Sequence, residues 1–143
     1  MRALLDVNVL IALLDAGHAM HLRATEWLAK QSDYGWASCP LTQNGVVRIM
    51  SQPSYPTPRP AALVAQRLAS ACLAPEHNFW SADVSLLAAG LIDWQRLLGY
   101  RQVTDAYLLA LAVRQQGKLA TFDQRIRPDF VLGAKPVHLE IIG

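Results

Sequence analysis

Short apolar runs alternate along the chain with stretches in which apolar residues recur at helical spacing. Residues 2–5 form an apolar run that stops at Asp6, and helical spacing then follows until Gly17. The pattern predicts strands at 2–5, 35–38, 78–80, 118–121 and 137–142, and helices near 9–14, 18–30, 40–50, 61–73, 83–89 and 104–116. Such alternation predicts an α/β fold, a three-layer α/β/α sandwich around a mostly parallel sheet.

The breaks in this pattern are few. Residues 51–60 contain four prolines and are predicted to form a loop, and residues 93–100 favour no element. Gly117 follows the most regular helix and is predicted to end it. Because no repeat or linker interrupts the 143 residues, we expect a single domain over 1–143.

Composition narrows the class of protein. Hydrophobic residues make up 52% of the chain and charged residues 17%, which predicts a packed core. The net charge of +2 does not by itself indicate a nucleic-acid partner. Asp6 interrupts the first apolar run, and no stretch approaches the roughly 18 apolar residues of a membrane span. We therefore expect a cytoplasmic protein without a membrane partner.

Three acidic residues occupy related positions in the predicted fold. Asp6 and Asp123 each follow a strand, and Asp105 lies in the first turn of the helix before the second of these strands. Functional groups of open α/β sheets gather beyond the carboxyl ends of the strands. Three carboxylates there would repel one another unless a hard cation such as Mg²⁺ or Mn²⁺ lay among them. Each acid alone is better explained as a helix cap, so the prediction depends on all three meeting.

Four segments share their pattern with one known family: LLDVNVLI at 4–11, CPLTQNGVVRI at 39–49, VTDAYLLALA at 103–112 and LATFD at 119–123. In this order they resemble the PIN domain, and in particular the VapC toxins of bacterial type II toxin–antitoxin systems. Each motif alone is weakly specific, whereas four in order are strongly so. The resemblance implies a PIN-like fold and a metal-dependent endoribonuclease.

The same resemblance implies roles for individual residues. Asp6, Asp105 and Asp123 would hold one or two Mg²⁺ or Mn²⁺ ions, which activate water for attack on an RNA phosphodiester. Asn8 and Thr121 would orient these carboxylates.

Gln43 departs from the family pattern, which usually has a glutamate directly after Thr42. We expect Gln43 to position a water or a phosphate at the acidic site, with one negative charge fewer than usual. Two consequences remain open: either the ion arrives together with the RNA, or the site is impaired.

The resemblance also implies partners. We expect an RNA substrate such as tRNA, a small VapB-type antitoxin and a homodimer. Arg48, Arg101 and Arg125 are candidates for contacts with RNA or antitoxin, and Trp94 and Tyr100 are candidates for base stacking.

Other classes of protein fit the sequence less well. A haloacid-dehalogenase-like phosphatase needs a second acid two residues after the first, where this chain has Asn8, and a receiver domain needs an adjacent acidic pair. A PIN-like module that binds RNA or protein without cleavage remains open because of Gln43. Asp83 is either an accessory acid or a helix cap.

Overall fold

The computed structural model describes residues 1–143 and contains one sheet of five parallel strands. The strand order is β3-β2-β1-β4-β5, so β1 lies in the centre between β2 and β4. Their bounds are β1 Ala3–Leu5, β2 Trp36–Ser38, β3 His77–Phe79, β4 Lys118–Thr121 and β5 Leu139–Ile141. Every neighbouring pair is parallel, which confirms the predicted α/β fold.

Helices and irregular segments cover both faces of the sheet. The five helices are α1 Val7–Leu14, α2 His21–Gln31, α3 Pro40–Met50, α4 Ala61–Ala71 and α5 Val103–Arg114. Helices α1 to α4 pack on one face, and α5 packs on the other together with parts of 80–97 and 126–134. None of the helices combines the length and the apolar character needed to span a membrane.

Alternation along β1 divides the core into two clusters. Leu4 points towards α5, whereas Ala3 and Leu5 point towards α1, α3 and α4, because successive side chains of a strand lie on opposite faces. All three are fully buried, as expected for a parallel sheet covered on both sides. The first charged side chain after β1 therefore lies at the edge of a closed core.

The segment between β3 and α5 is where the predicted elements are wrong. Residues 83–89 form no helix, and 93–102 contain only two short 3₁₀ turns, Trp94–Arg96 and Tyr100–Gln102. Val84 and Leu86 both pack against the hydrophobic cluster that contains the buried residues of α5. A spacing of two residues between buried side chains suits an extended chain better than a helix. The apolar residues of this segment therefore pack against the core individually and not as one face of a helix.

Gly117 is not the residue that ends α5, contrary to the prediction, because the helix ends at Arg114. Gln116 adopts the left-handed conformation, with φ 58°. A Cβ on Gly117 would lie 2.6 Å from the carbonyl oxygen of Arg2 and 2.7 Å from the ring of Trp80. Glycine is required there because the chain passes close to β1 as it enters β4.

Candidate active site

Two adjacent strands bring the first and last of the three acids to one edge of the sheet. Leu5 pairs with Ala120 in the β1–β4 register, so Asp6 directly follows β1 beside the end of β4. The Asp6 amide continues the pairing by donating to the carbonyl of Ala120 at 3.0 Å. Asp123 follows β4 by two residues, and Asp105 lies in the first turn of α5.

Thr121 connects this end of β4 to the residues around it. Its Oγ1 donates to Asp6 Oδ2 at 2.7 Å and accepts from the Asp123 amide at 3.0 Å. The Asn8 Nδ2 donates to the same hydroxyl at 3.3 Å, while Asn8 Oδ1 accepts from the amide of Phe122. Asn8 therefore reaches Asp6 through Thr121, and the hydroxyl is fully buried in the network.

Asp6 caps α1 and lies close enough to Asp105 and Asp123 for the charges to interact. Its Oδ1 accepts from the Val7 amide at 2.7 Å, so each carboxylate oxygen has a donor. Burial is the largest influence on the pKa of Asp6 and raises it, the bonds from Thr121 and Val7 lower it, and the charge of Asp123 raises it further. The net direction is upward, because two hydrogen bonds do not fully replace water around a carboxylate that is 7% exposed.

Asp105 is the acid whose pKa is raised by the charges of both other acids. Burial, the largest cause, and the charges of Asp6 and Asp123 together raise its pKa to about 7, while the charge of Arg125 acts in the opposite direction. Asp105 therefore keeps its proton to a higher pH than an ordinary aspartate does. A carboxyl perturbed this far by burial and by like charges is typical of functional sites.

Asp123 is held by an arginine of its own loop. Arg125 Nε donates to Oδ1 at 3.0 Å and Nη2 donates to Oδ2 at 3.2 Å, a two-pronged pair, and the Arg125 amide also donates to Oδ1. These contacts lower the pKa of Asp123. Because the Arg125 side chain is 73% exposed, the pair faces solvent and can exchange partners.

A cavity of about 300 Å³ opens beside these acids. Asp105, Asp123 and Arg125 line one part of it, and the rest is formed by the loop before α5: Leu98, Gly99, Tyr100, Arg101 and Gln102. Of this loop, sequence reasoning selected only Tyr100 and Arg101. The signal for the others is their position directly before the helix that carries Asp105, since no periodic pattern marks them.

The residues at the site fit a hard divalent cation in their chemistry. All three side chains offer carboxylate oxygens, the ligands that Mg²⁺ and Mn²⁺ prefer, and a cation would relieve the repulsion that raises the pKa of Asp105. In this arrangement no three acidic, histidine or cysteine side chains are grouped closely enough to enclose one ion. Asp123 is already paired with Arg125, so a cation would compete with this guanidinium for the carboxylate.

Gln43 does not line this cavity and contacts none of the three acids in this arrangement, so its role at the acidic site stays a prediction. Its Nε2 donates to Ser38 Oγ at 3.0 Å, and the side chain lines an apolar groove between α3 and α4. Ser38 in turn contacts His77 Nε2 at 2.8 Å. Gln43 thus belongs to a polar cluster on the α4 side of the sheet.

The start of α3 explains this orientation. Thr42 Oγ1 turns back and accepts from the amide of Cys39 at 2.9 Å, which fixes the first turn of the helix. The next position lies about 100° further around the helix, which directs Gln43 towards α4. Arg48 on the same helix and Asp83, paired with Arg114 at 3.7 Å, are exposed and do not line the cavity.

Comparisons with known proteins agree with this fold. The PIN domain family model matches residues 3–128. Ribonuclease VapC44 of Mycobacterium tuberculosis is 54% identical over 139 residues, which cover 97% of this chain and 98% of that protein. Ribonuclease VapC39 of the same organism is 45% identical over 125 residues, 86% of this chain and 89% of that protein.

A solved structure supports the fold independently of close sequence similarity. The crystal structure of Mycobacterium tuberculosis VapC20, described as a sarcin–ricin loop cleaving toxin, superimposes with a TM-score of 0.59 at 14% identity. The match covers 90% of this chain and 92% of VapC20. With this fold, and with sequence identity that extends over nearly the whole of VapC44, the chain belongs to the PIN-domain family and to its VapC type.

Proposed function

We propose that the protein is a metal-dependent endoribonuclease toxin that hydrolyses RNA phosphodiester bonds. The observation that carries the proposal is the position of Asp6, Asp105 and Asp123 near one edge of the sheet. The charges of Asp6 and Asp123 raise the pKa of Asp105 there, and Asp105 and Asp123 line a cavity. The extensive identity to ribonucleases VapC44 and VapC39 supports the same chemistry.

The three carboxylates would hold one or two Mg²⁺ or Mn²⁺ ions. When bound, such an ion lowers the pKa of a coordinated water and stabilises charge on the phosphodiester. Thr121 and the Val7 amide keep the Asp6 carboxylate oriented. Asp105 has to be ionised to serve as a ligand, and because its pKa is raised to about 7, binding of an ion would compete with a proton near neutral pH.

Arg125 has a second role in this scheme. Its guanidinium pairs with Asp123 while the site is free. If Asp123 held a cation, the exposed guanidinium of Arg125 would be available to a phosphate oxygen of the RNA, with which it would form the same two-pronged geometry. Arg125 would then exchange the carboxylate for the phosphate.

The partners follow from the same assignment. We propose that a small VapB-type antitoxin neutralises the protein, that a tRNA or a similarly structured RNA is the target, and that the chain forms a homodimer. A guanidinium already pairs with Asp123 within this chain, which supports neutralisation by a basic side chain of an antitoxin at the same carboxylates.

Cleavage of RNA by the purified protein tests the proposal. Total RNA is incubated with Mg²⁺, with Mn²⁺ or with EDTA, and cleavage is expected with either ion and not with EDTA. Asp6→Asn and Asp105→Asn should abolish cleavage while the protein stays folded, and Asp33→Asn on an exposed turn should not change it. Cleavage by both site variants at the wild-type rate would overturn the assignment. Binding of RNA without cleavage under any ion would favour a non-catalytic PIN-like module.

Neutralisation has a separate test in cells. Expression of the chain should arrest growth, and co-expression of a small antitoxin should restore it. If the Asp6→Asn variant arrested growth as strongly as the wild type, toxicity would not depend on the acidic site.

A further inference from the structure

We propose that the loop 98–102 is a subsite for one unpaired nucleobase of RNA, which stacks on Tyr100 while Arg101 and Arg125 hold the flanking phosphates. The proposal rests on the proposed ribonuclease function and extends it to the part of the substrate that the loop contacts.

Tyr100 presents its ring to the cavity with few contacts of its own. The side chain is 80% exposed although it lines a cavity that also contains Asp105 and Asp123. Arg101 lies 5.7 Å from the ring centre, and its Nε donates to the tyrosine hydroxyl at 3.2 Å. A guanidinium beside a largely exposed aromatic ring forms the kind of platform on which bases stack.

The loop is fixed relative to the acids. Gln102 Oε1 accepts from the Leu98 amide at 2.7 Å, and the Gln102 amide donates to the carbonyl of Gly99 at 3.1 Å. The chain then passes directly into α5, whose first turn carries Asp105. Tyr100 is thus held near the carboxylates before any RNA arrives, which reduces the ordering cost of binding.

Charge and size together favour a single-stranded ligand. Arg101 and Arg125 bring two guanidiniums to a wall shared with Asp105 and Asp123. Phosphates can contact the guanidiniums directly, and they can approach the carboxylates only through a cation. The cavity of about 300 Å³ is at the small end of ligand pockets, so it suits one base that has left its stack.

The test measures RNA binding separately from cleavage. The protein carries Asp6→Asn to prevent cleavage, and the probe is a fluorescein-labelled single-stranded RNA of mixed sequence, titrated in Mg²⁺ and followed by anisotropy. Tyr100→Ala should weaken binding by about tenfold, the loss typical of one base–aromatic stack, and Tyr100→Trp should retain it. Tyr34→Ala is the matched control, because Tyr34 is also exposed (63%) but precedes β2 at the opposite edge of the sheet.

Two further measurements test the contribution of charge and the preference for single-stranded RNA. Arg101→Gln should lower the dependence of binding on salt, and Arg23→Gln, on exposed α2, should not. A fully paired RNA of the same sequence should bind Tyr100→Ala and its parent equally.

Several results would overturn the subsite. These are equal binding of Tyr100→Ala and Tyr34→Ala, a loss with Tyr100→Trp as large as that with alanine, or no binding of RNA by the parent. The first two leave the ribonuclease proposal intact if the wild type cleaves RNA. Conversely, the wild-type protein could bind RNA in a Tyr100-dependent way and never cleave it. That result would support the subsite and refute the proposed ribonuclease activity.

Discussion

Thr121 Oγ1 donates a hydrogen bond of 2.7 Å to Asp6 Oδ2 and thereby joins residues that are 115 positions apart in sequence. The bond exists because β1 and β4 are neighbours in the sheet and end at the same height, with Leu5 opposite Ala120. Both side chains are buried, so the hydroxyl replaces water that the carboxylate lost on folding. The orientation of the first acid is therefore set by the end of the fourth strand.

Thr121→Val should disturb the site and the fold together. The substitution keeps the shape of the side chain and leaves Asp6 Oδ2 and the Asp123 amide without their partner. We expect a loss of about 2 kcal/mol in the free energy of unfolding, measured in urea, because a buried charged group loses a hydrogen bond. Mn²⁺ affinity should also fall. Thr121→Ser keeps the hydroxyl, and a valine variant as stable as the serine variant would contradict the role of the bond.

Arg125 should compete with divalent cations for Asp123. In the absence of RNA, Arg125→Gln frees the carboxylate and is expected to increase Mn²⁺ affinity by up to about fivefold, the range of an exposed ion pair. Isothermal titration calorimetry measures this directly. Arg127→Gln is the matched control, because Arg127 is similarly exposed and pairs with Asp129 at 3.5 Å. Equal affinities of the two variants would argue against competition at Asp123.

The raised pKa of Asp105 predicts a stability that depends on pH. A carboxyl whose pKa is about 7 in the folded state binds more protons there than in the unfolded state, where its pKa is about 4. Metal-free protein should therefore lose stability as pH rises from about 4 through about 7. Asp105→Asn removes this loss, so the variant should exceed the wild type by about 1–2 kcal/mol at pH 8, allowing for partial exposure of the carboxyl, and match it near pH 4.

Urea unfolding in EDTA at pH 5 and pH 8 measures this difference, with Asp33→Asn as the control. Saturating Mg²⁺ should stabilise the wild type more than Asp105→Asn, because only the wild type has all three carboxylates for the ion. A stability gap that does not change with pH would show that Asp105 is not perturbed in the folded protein.

The sequence predicted the acidic edge because its determinants are local. A buried strand that stops at an aspartate can be identified from five residues, as at Leu5–Asp6, and the topology of an α/β fold then brings such ends together. The direction of a side chain on a helix is not local in this sense. Gln43 follows Thr42 in the motif, yet the turn of α3 directs the two side chains to different surroundings.

For a related reason, the periodicity of the sequence did not predict the role of the loop before α5. Residues 98–102 are held by single hydrogen bonds, such as that from the Leu98 amide to Gln102, and not by a repeated apolar face. Their importance appears only when α5 is in place and directs them to the cavity beside Asp105. Irregular segments that line a site are thus the part of this fold that pattern analysis describes least well.

Gly45 provides the most direct test of how α3 supports the site. A Cβ at this position would lie 2.7 Å from Cγ2 of Val7, the residue whose amide donates to Asp6. Gly45→Ala should therefore lower the free energy of unfolding by about 1 kcal/mol or more, since overpacking outweighs the gain in helix propensity. It should also weaken Mn²⁺ binding, because α1 has to shift.

Val7→Ala removes the obstructing methyl groups, so adding Gly45→Ala to that variant should cost nothing, and the double-mutant cycle should give a coupling of about 1 kcal/mol. Gly99→Ala serves as the control for stability, because nothing lies within 4 Å of its added Cβ. If Gly45→Ala proved equally harmful with and without Val7, the clash would not be its cause. The close approach of α3 to α1 would then have no part in holding the Asp6 carboxylate.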